Sequence, residues 1–201
     1  MDVRDIRRDK EARSASMAES DSLPAIAALV FSGDENPDEV LSRFADGLMQ
    51  NRHRVMGLIQ RGHCNGPDTR ELFATLLHTG DAVPLFQDLG TCAQGCKLDA
   101  NQLLRAGAAI SEALARDGGD ILIVNRFGKL EKEGKGLLFL IEQALGAGIP
   151  VLIAVPQASL DEWSAFSGGF DVRLACSERA VSAWWESFST PAGSLPGRRI
   201  A

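Results

Sequence analysis

The sequence predicts a three-layer α/β domain on a mostly parallel central sheet, with an inserted β-hairpin. Three observations carry this reading. Short apolar runs alternate with stretches of helical periodicity. Two of those runs, Asp120–Asn125 and Ile149–Val155, are apolar almost throughout, as strands covered on both faces of a parallel sheet must be. Between the second and third strand positions lie two β-prone runs, Glu71–Leu77 and Val83–Gln87, around the turn sequence His78-Thr79-Gly80-Asp81.

Residues 1–22 alternate acids and bases (Asp2, Asp5 and Asp9 against Arg4, Arg7 and Arg8) and hold few large apolar side chains. Such a segment cannot offset its ordering entropy, and a disordered tail is expected. Residues 23–189 then read as one domain. Ala25–Phe31 is a short buried strand. Asn36-Pro37-Asp38-Glu39 starts a helix, with Asn36 as N-cap, Pro37 at the first helical position and Glu39 closing a capping box. Val40, Leu41, Phe44 and Leu48 follow at helical spacing. Arg54–Gln60 is the next strand, and the resulting βαβ unit implies a right-handed parallel crossover. Past the hairpin, near 71–87, Asp99 caps a helix with Leu103, Gly107, Ile110 and Leu114 on its inner face. Arg126–Gly136 is a charged, glycine-punctuated loop. Leu137–Leu145 and Leu160–Phe166 are helices, Val172–Ala175 a short strand, and Ala180–Phe188 a last helix with one core and one edge tryptophan. Residues 190–201 are rich in Pro and Gly and are expected to be a loose tail.

Composition narrows the function. The 201 residues carry 21 basic and 27 acidic side chains, a formal net charge of −6 that argues against a broad nucleic-acid surface. No apolar run approaches the ~20 residues of a membrane span, and the N-terminus lacks a signal-peptide core, so a cytoplasmic protein is expected. Four cysteines are too few for a secreted disulfide scaffold.

In an open α/β sheet, ligands sit outside the carboxyl ends of the strands. That edge holds Ser32 and Gly33, Gln60, and the loop from Asn125 to Glu131. Arg126 and Lys129 read there either as an anion clamp, with Gln60 and Asn125 as neutral hydrogen-bonding groups, or as part of a solvated loop whose bases pair with Glu131 and Glu133. Cys92 and Cys96, with His63 and Cys64 upstream, have spacings that a metal site permits, although adjacent His and Cys chelate poorly. Loop thiols that bind nothing are the simpler reading.

The pattern over residues 25–156 resembles the P-loop nucleoside-triphosphatase superfamily, in particular the small thermophilic-type nucleoside-triphosphatases. The molybdopterin-guanine-dinucleotide accessory protein is a more distant likeness. Arg54–Gln60 looks like the second strand of that family, Glu71–Gly90 like its inserted hairpin, and Asp120–Glu131 like its Walker B strand and the segment after it. The string that includes Gly95-Cys96-Lys97-Leu98-Asp99 and Asn125-Arg126-Phe127-Gly128-Lys129 is also similar to a bacterial domain family of unknown function, sometimes found near molybdenum-related genes. The resemblance implies a P-loop-like fold, and a link to molybdenum or metal-cofactor metabolism.

The departures bear on activity. A P-loop needs clustered glycines, a lysine for the β/γ-phosphates and Ser/Thr for magnesium. Phe31–Glu39 has one glycine, no lysine, no Ser/Thr at the motif end, and four carboxylates: Asp34, Glu35, Asp38 and Glu39. The Walker B acids correspond to Asn125 and Arg126. The reading that follows is a non-hydrolysing protein with degenerate Walker motifs. It binds a small anionic ligand, nucleotide or oxyanion, or a protein partner, through Ser32, Gly33, Gln60, Asn125, Arg126, Lys129 and Glu131. The cofactor is unassigned and oligomerisation stays open. Two alternatives stand beside it: an atypical nucleoside-triphosphatase or nucleotidyl-transfer enzyme using Arg126, Lys129 and Glu131, and a metal-handling protein using Cys92, Cys96 and His63.

Overall fold

The computed structural model describes residues 25–61, 72–86 and 98–189. The metal-site candidates His63, Cys64, Cys92 and Cys96, and both expected tails, lie outside the described residues.

The strands are β1 (Ile26–Phe31), β2 (Val55–Arg61), β3 (Phe73–Leu76), β4 (Ala82–Pro84), β5 (Ile121–Asn125), β6 (Val151–Pro156) and β7 (Val172–Ala175). They form one sheet in the order β4-β3-β2-β5-β6-β1-β7. The β2·β5, β5·β6, β6·β1 and β1·β7 pairs are parallel. β1 and β5 are both interior, as their continuous apolar runs require. The hairpin forms about Gly80 (φ +79), with β3 antiparallel to β2 and β4 antiparallel to β3, so the insertion lengthens the sheet at one edge.

The helices are α1 (Pro37–Gln50), α2 (Ala100–Asp117), α3 (Lys129–Lys132), α4 (Leu138–Gly146), α5 (Leu160–Ser167) and α6 (Glu178–Ser189). On one face of the sheet, Leu41, Phe44 and Leu48 of α1 join Val181 and Trp184 of α6 against Leu29, Ile123 and Leu152. On the other face, Leu103, Ile110 and Leu114 of α2, Ile141 of α4 and Trp163 of α5 pack on Ala28, Leu122 and Ile153. Side chains alternate between the two faces because successive strand residues point oppositely. This is the predicted three-layer arrangement. As expected, Trp184 is buried, while Trp185 is half-buried.

Two local details differ from the sequence reading. Asn36 does cap α1, its Oδ1 accepting from Glu39 N at 3.3 Å. The Glu39 carboxylate, however, does not return to the cap. It pairs with Arg43 one turn along the helix, and Arg43 also donates to Glu178 Oε1 at 3.0 Å. A guanidinium at the i+4 position out-competes a single neutral N–H for a carboxylate. The 126–136 segment is not all loop: it contains the single turn α3, organised by Glu131.

Candidate functional site

The carboxyl ends of β1 and β5 and the first turn of α1 converge on one ion pair. β5 ends at Asn125 because the apolar run stops there, and the chain leaves the sheet with Arg126. Arg126 Nη2 donates to Asp38 Oδ2 at 2.9 Å and Oδ1 at 3.0 Å. Asn125 Nδ2 donates to the same Asp38 Oδ1 at 2.9 Å and to the Gln60 carbonyl at 3.4 Å. The guanidinium carbon lies 5.5 Å from the centre of the Phe31 ring, a cation–π contact. The Asp38 side chain is 13% exposed and that of Arg126 is 30% exposed, so the pair is only partly screened by water.

The donor set is incompletely used. Arg126 Nε and Asn125 Oδ1 are buried and have no hydrogen-bond partner. Asn125 as a whole is 4% exposed. Buried polar atoms without partners are uncommon and costly.

The β1–α1 connection carries a second internal carboxylate. Glu35 Oε2 accepts from Ser32 N at 2.7 Å and from Ser32 Oγ at 3.0 Å, while Glu35 N donates to Ser32 O at 3.2 Å. The loop is therefore closed by its own acid, which takes up both the backbone and the side-chain donor of Ser32. Gly33 is exposed in this turn and a side chain there would meet nothing within 4 Å.

Of the seven site residues named from sequence, Asn125, Arg126 and Gln60 are brought together, with Gln60 contributing its main-chain carbonyl. Ser32 and Gly33 lie on the adjoining turn. Lys129 opens α3 on the surface, exposed to solvent. Glu131 faces inward at 6% exposure. Its Oε2 accepts from Gly128 N at 3.0 Å and its Oε1 from Leu137 N at 3.1 Å. A Cβ on Gly136 (φ +66) would lie 2.0 Å from Glu131 Oε1, so this carboxylate fixes the loop and dictates a glycine beside it. The remaining bases are paired, Lys132 to Glu162 at 2.9 Å and Lys135 to Glu133 at 3.2 Å.

Three contributors were not named from sequence: Asp38 as an ion-pair partner, Phe31 as its aromatic floor, and Cys176. The Cys176 thiol follows β7, which lies beside β1. Its pKa is pushed up to about 11 by burial first, and then by the negative charges of Glu35 and Asp38. Asp38 carried a legible signal, since an acid at the second position of a helix at the sheet edge points toward the neighbouring strand end. Cys176 carried none, because only the sheet order sets it near Glu35 and Asp38.

Residues 26–184 match the model of a family described as "Protein of unknown function (DUF2478)". The chain is 36% identical over 166 residues to the molybdenum import ATP-binding protein ModC 2 of Bradyrhizobium diazoefficiens. That match takes in 82% of this chain and 18% of the relative, so the chain spans less than a fifth of that protein's length. The solution structure of a human cancer-related nucleoside triphosphatase superposes with a TM-score of 0.51 at 14% identity. The superposition covers 74% of this chain and 87% of the human protein, a likeness of fold. The chain belongs to the DUF2478 family and has a P-loop nucleoside-triphosphatase-like fold.

Proposed function

We propose that this domain is a non-hydrolysing P-loop-like module of the cytoplasm that binds a small anion at the Arg126 edge of the sheet, in competition with its own Asp38. The observation that carries the reading is the Asp38–Arg126 pair. A guanidinium at the carboxyl edge, beside a helix N-terminus, already holds an anionic group, here a carboxylate from the same chain. The unpartnered Arg126 Nε supplies a further donor once the pair opens.

The residues do not fit a magnesium triphosphate. The Ser32 N–H and hydroxyl are engaged by Glu35. The Asp38 carboxylate is neutralised by Arg126. Asn125 and Arg126 stand where the Walker B acids are expected. Asp34 and Glu35, which have no cation partner among the described ion pairs, add negative charge around the turn, each opposing a triphosphate by about 1 kcal/mol at 4 Å in water, whereas Glu39 is balanced by Arg43. Glu131 has both oxygens on backbone N–H groups, which leaves it no role as a base for water. The hydrolytic alternative draws no support from this arrangement.

A compact oxyanion fits better than a nucleotide. The donors converge on one carboxylate-sized position, and the turn that cradles phosphates in the P-loop superfamily is closed. The molybdenum-import function of the Bradyrhizobium relative makes molybdate the first oxyanion to try, with orthophosphate beside it. Titration calorimetry with molybdate, orthophosphate, ATP and GTP, beside a phosphate-release assay, tests the reading. Binding of an oxyanion that Arg126→Ala removes, without turnover of ATP or GTP, is the expected result. Magnesium-dependent turnover, or oxyanion binding indifferent to Arg126, would refute it.

A further inference from the structure

At the opposite, amino edge of the sheet, Ala25 and Ile26 open onto a cavity of about 570 Å³ bounded by α4 and α5. That volume suits a small organic molecule. Ile141 and Leu145 form one wall, and the rings of Phe166 and Phe170 form another. Phe170 is 78% exposed, held out by a turn in which Gly168 and Gly169 both have positive φ, 61° and 78°.

The polar side chains lining the cavity are Glu142 and Ser167, and both present acceptors. Ser167 spends its single hydroxyl proton on Asp171 Oδ1 at 2.6 Å, and its oxygen accepts from Gly169 N at 3.3 Å, which leaves one lone pair. Glu142 has no ion pair among the described residues and is exposed toward solvent. Behind Ser167, the Asp171 side chain is 1% exposed, and its Oδ2 accepts no hydrogen bond. The cation nearest to that oxygen among the described ion pairs is Arg173 Nε, at 3.9 Å. The site is thus apolar and aromatic, offers side-chain acceptors without donors, and is negative. An anion finds no side-chain partner there. A cation finds a carboxylate, a hydroxyl oxygen and two ring faces.

We infer that this cavity binds a small organic cation, a protonated amine on a hydrocarbon or aromatic body. The ammonium lies toward Glu142 and Ser167, and the body lies against Ile141, Leu145 and the two rings. The inference is independent of the Arg126 site, because the two sites occupy opposite edges of the sheet and opposite charge classes.

Three probes of one shape test it on the full chain: phenethylammonium, the neutral 2-phenylethanol and the anion phenylacetate. Binding is followed by NMR titration against wild type, Glu142→Gln and Phe170→Ala. Phenethylammonium is expected to bind about tenfold more tightly than the alcohol, the usual worth of one charge-assisted hydrogen bond, and phenylacetate not at all. Glu142→Gln should bring amine and alcohol together, and Phe170→Ala should weaken both. Glu142 and Phe170 are exposed, so a melting curve unchanged from wild type verifies that each variant is folded. The inference is overturned if all three probes bind alike, if none binds at millimolar concentration, or if the amine's advantage survives Glu142→Gln. It is also overturned if sedimentation shows a dimer that Phe170→Ala abolishes, since a second copy would then fill the cavity.

Discussion

Replacing Asp38 with asparagine is expected to tighten oxyanion binding while lowering the stability of the free protein. In the wild type an incoming anion must displace a carboxylate held by Arg126 Nη2 at 2.9 and 3.0 Å and by Asn125 Nδ2 at 2.9 Å. The net worth of a hydrogen bond to a charged partner is about 1.5–3 kcal/mol. An amide at position 38 keeps the shape and loses the charge, so the anion is relieved of about that much competition. The affinity gain is roughly tenfold to a hundredfold. Without ligand, Asp38→Asn leaves a half-buried guanidinium lacking its counter-charge, at a cost of about 1–3 kcal/mol. Added anion should restore that loss by mass action, which makes the melting shift on ligand addition larger than in wild type. Calorimetric titration with orthophosphate and molybdate at fixed low salt reads the affinity, and thermal melts read the stability. Arg126→Ala should lose a similar 1.5–3 kcal/mol of binding. Asp34→Asn should leave affinity unchanged or slightly tighter, because one repulsive charge is removed from an exposed turn. A folded Asp38→Asn protein that binds no more tightly than wild type would refute the competition argument.

Other outcomes follow from single contacts. Glu131→Gln turns one of two buried acceptors into a donor facing a backbone N–H, and should cost about 1–3 kcal/mol in denaturant melts while leaving the Asp38–Arg126 contacts in place. Gly57→Ala should prevent folding: φ there is +114, and a Cβ would lie 1.9 Å from the Ile123 carbonyl oxygen in the neighbouring strand, which circular dichroism would register. Cys176 should resist alkylation at neutral pH and react as pH rises toward its pKa of about 11, measured by peptide mass spectrometry. Asp38→Asn and Glu35→Gln should each bring that onset to lower pH, because a nearby negative charge disfavours the thiolate. Asp120 is held below the usual carboxylate range, first by the backbone N–H of Arg54, then by its guanidinium. Its stabilisation is complete above the ordinary aspartate pKa and is lost as pH falls through the lowered one. Asp120→Asn should accordingly flatten the acid limb of a stability–pH curve.

The layers were legible because burial writes itself into strands as periodicity. β5 and β6 read as buried on both faces since almost no polar residue interrupts them, and α1 announced its start with Asn36 and Pro37. The β3–β4 hairpin followed from Gly80, which holds a positive φ. The site was legible only as a set of strand ends. Arg126 was readable as a cation at the sheet edge, but its pairing with Asp38 spans 88 positions of sequence, and only the crossover from β1 to β2 brings α1 over the end of β5. For the same reason the four acids of the β1–α1 turn read as a uniform repulsive cluster. In the fold they divide: Glu35 closes the loop on Ser32, Asp38 holds Arg126, Glu39 pairs with Arg43, and Asp34 stays on the exposed turn. Glu131 read as a site residue from its place after β5. Its inward turn depends on Gly136 leaving room, a fact that spacing does not encode.

The central claim, that this P-loop-like edge keeps its anion-binding cation occupied by an internal carboxylate and does not hydrolyse nucleotide, is tested most directly with magnesium-ATP on three proteins. Wild type, Arg126→Ala and Asp34→Asn are titrated in parallel and assayed for phosphate release. The account predicts no release above background in any of them, and, in a parallel titration with molybdate and orthophosphate, oxyanion binding that is weakened roughly tenfold to a hundredfold only in Arg126→Ala. Magnesium-ATP binding that requires Asp34 and ignores Arg126 would contradict it, and would assign the acidic turn to the metal.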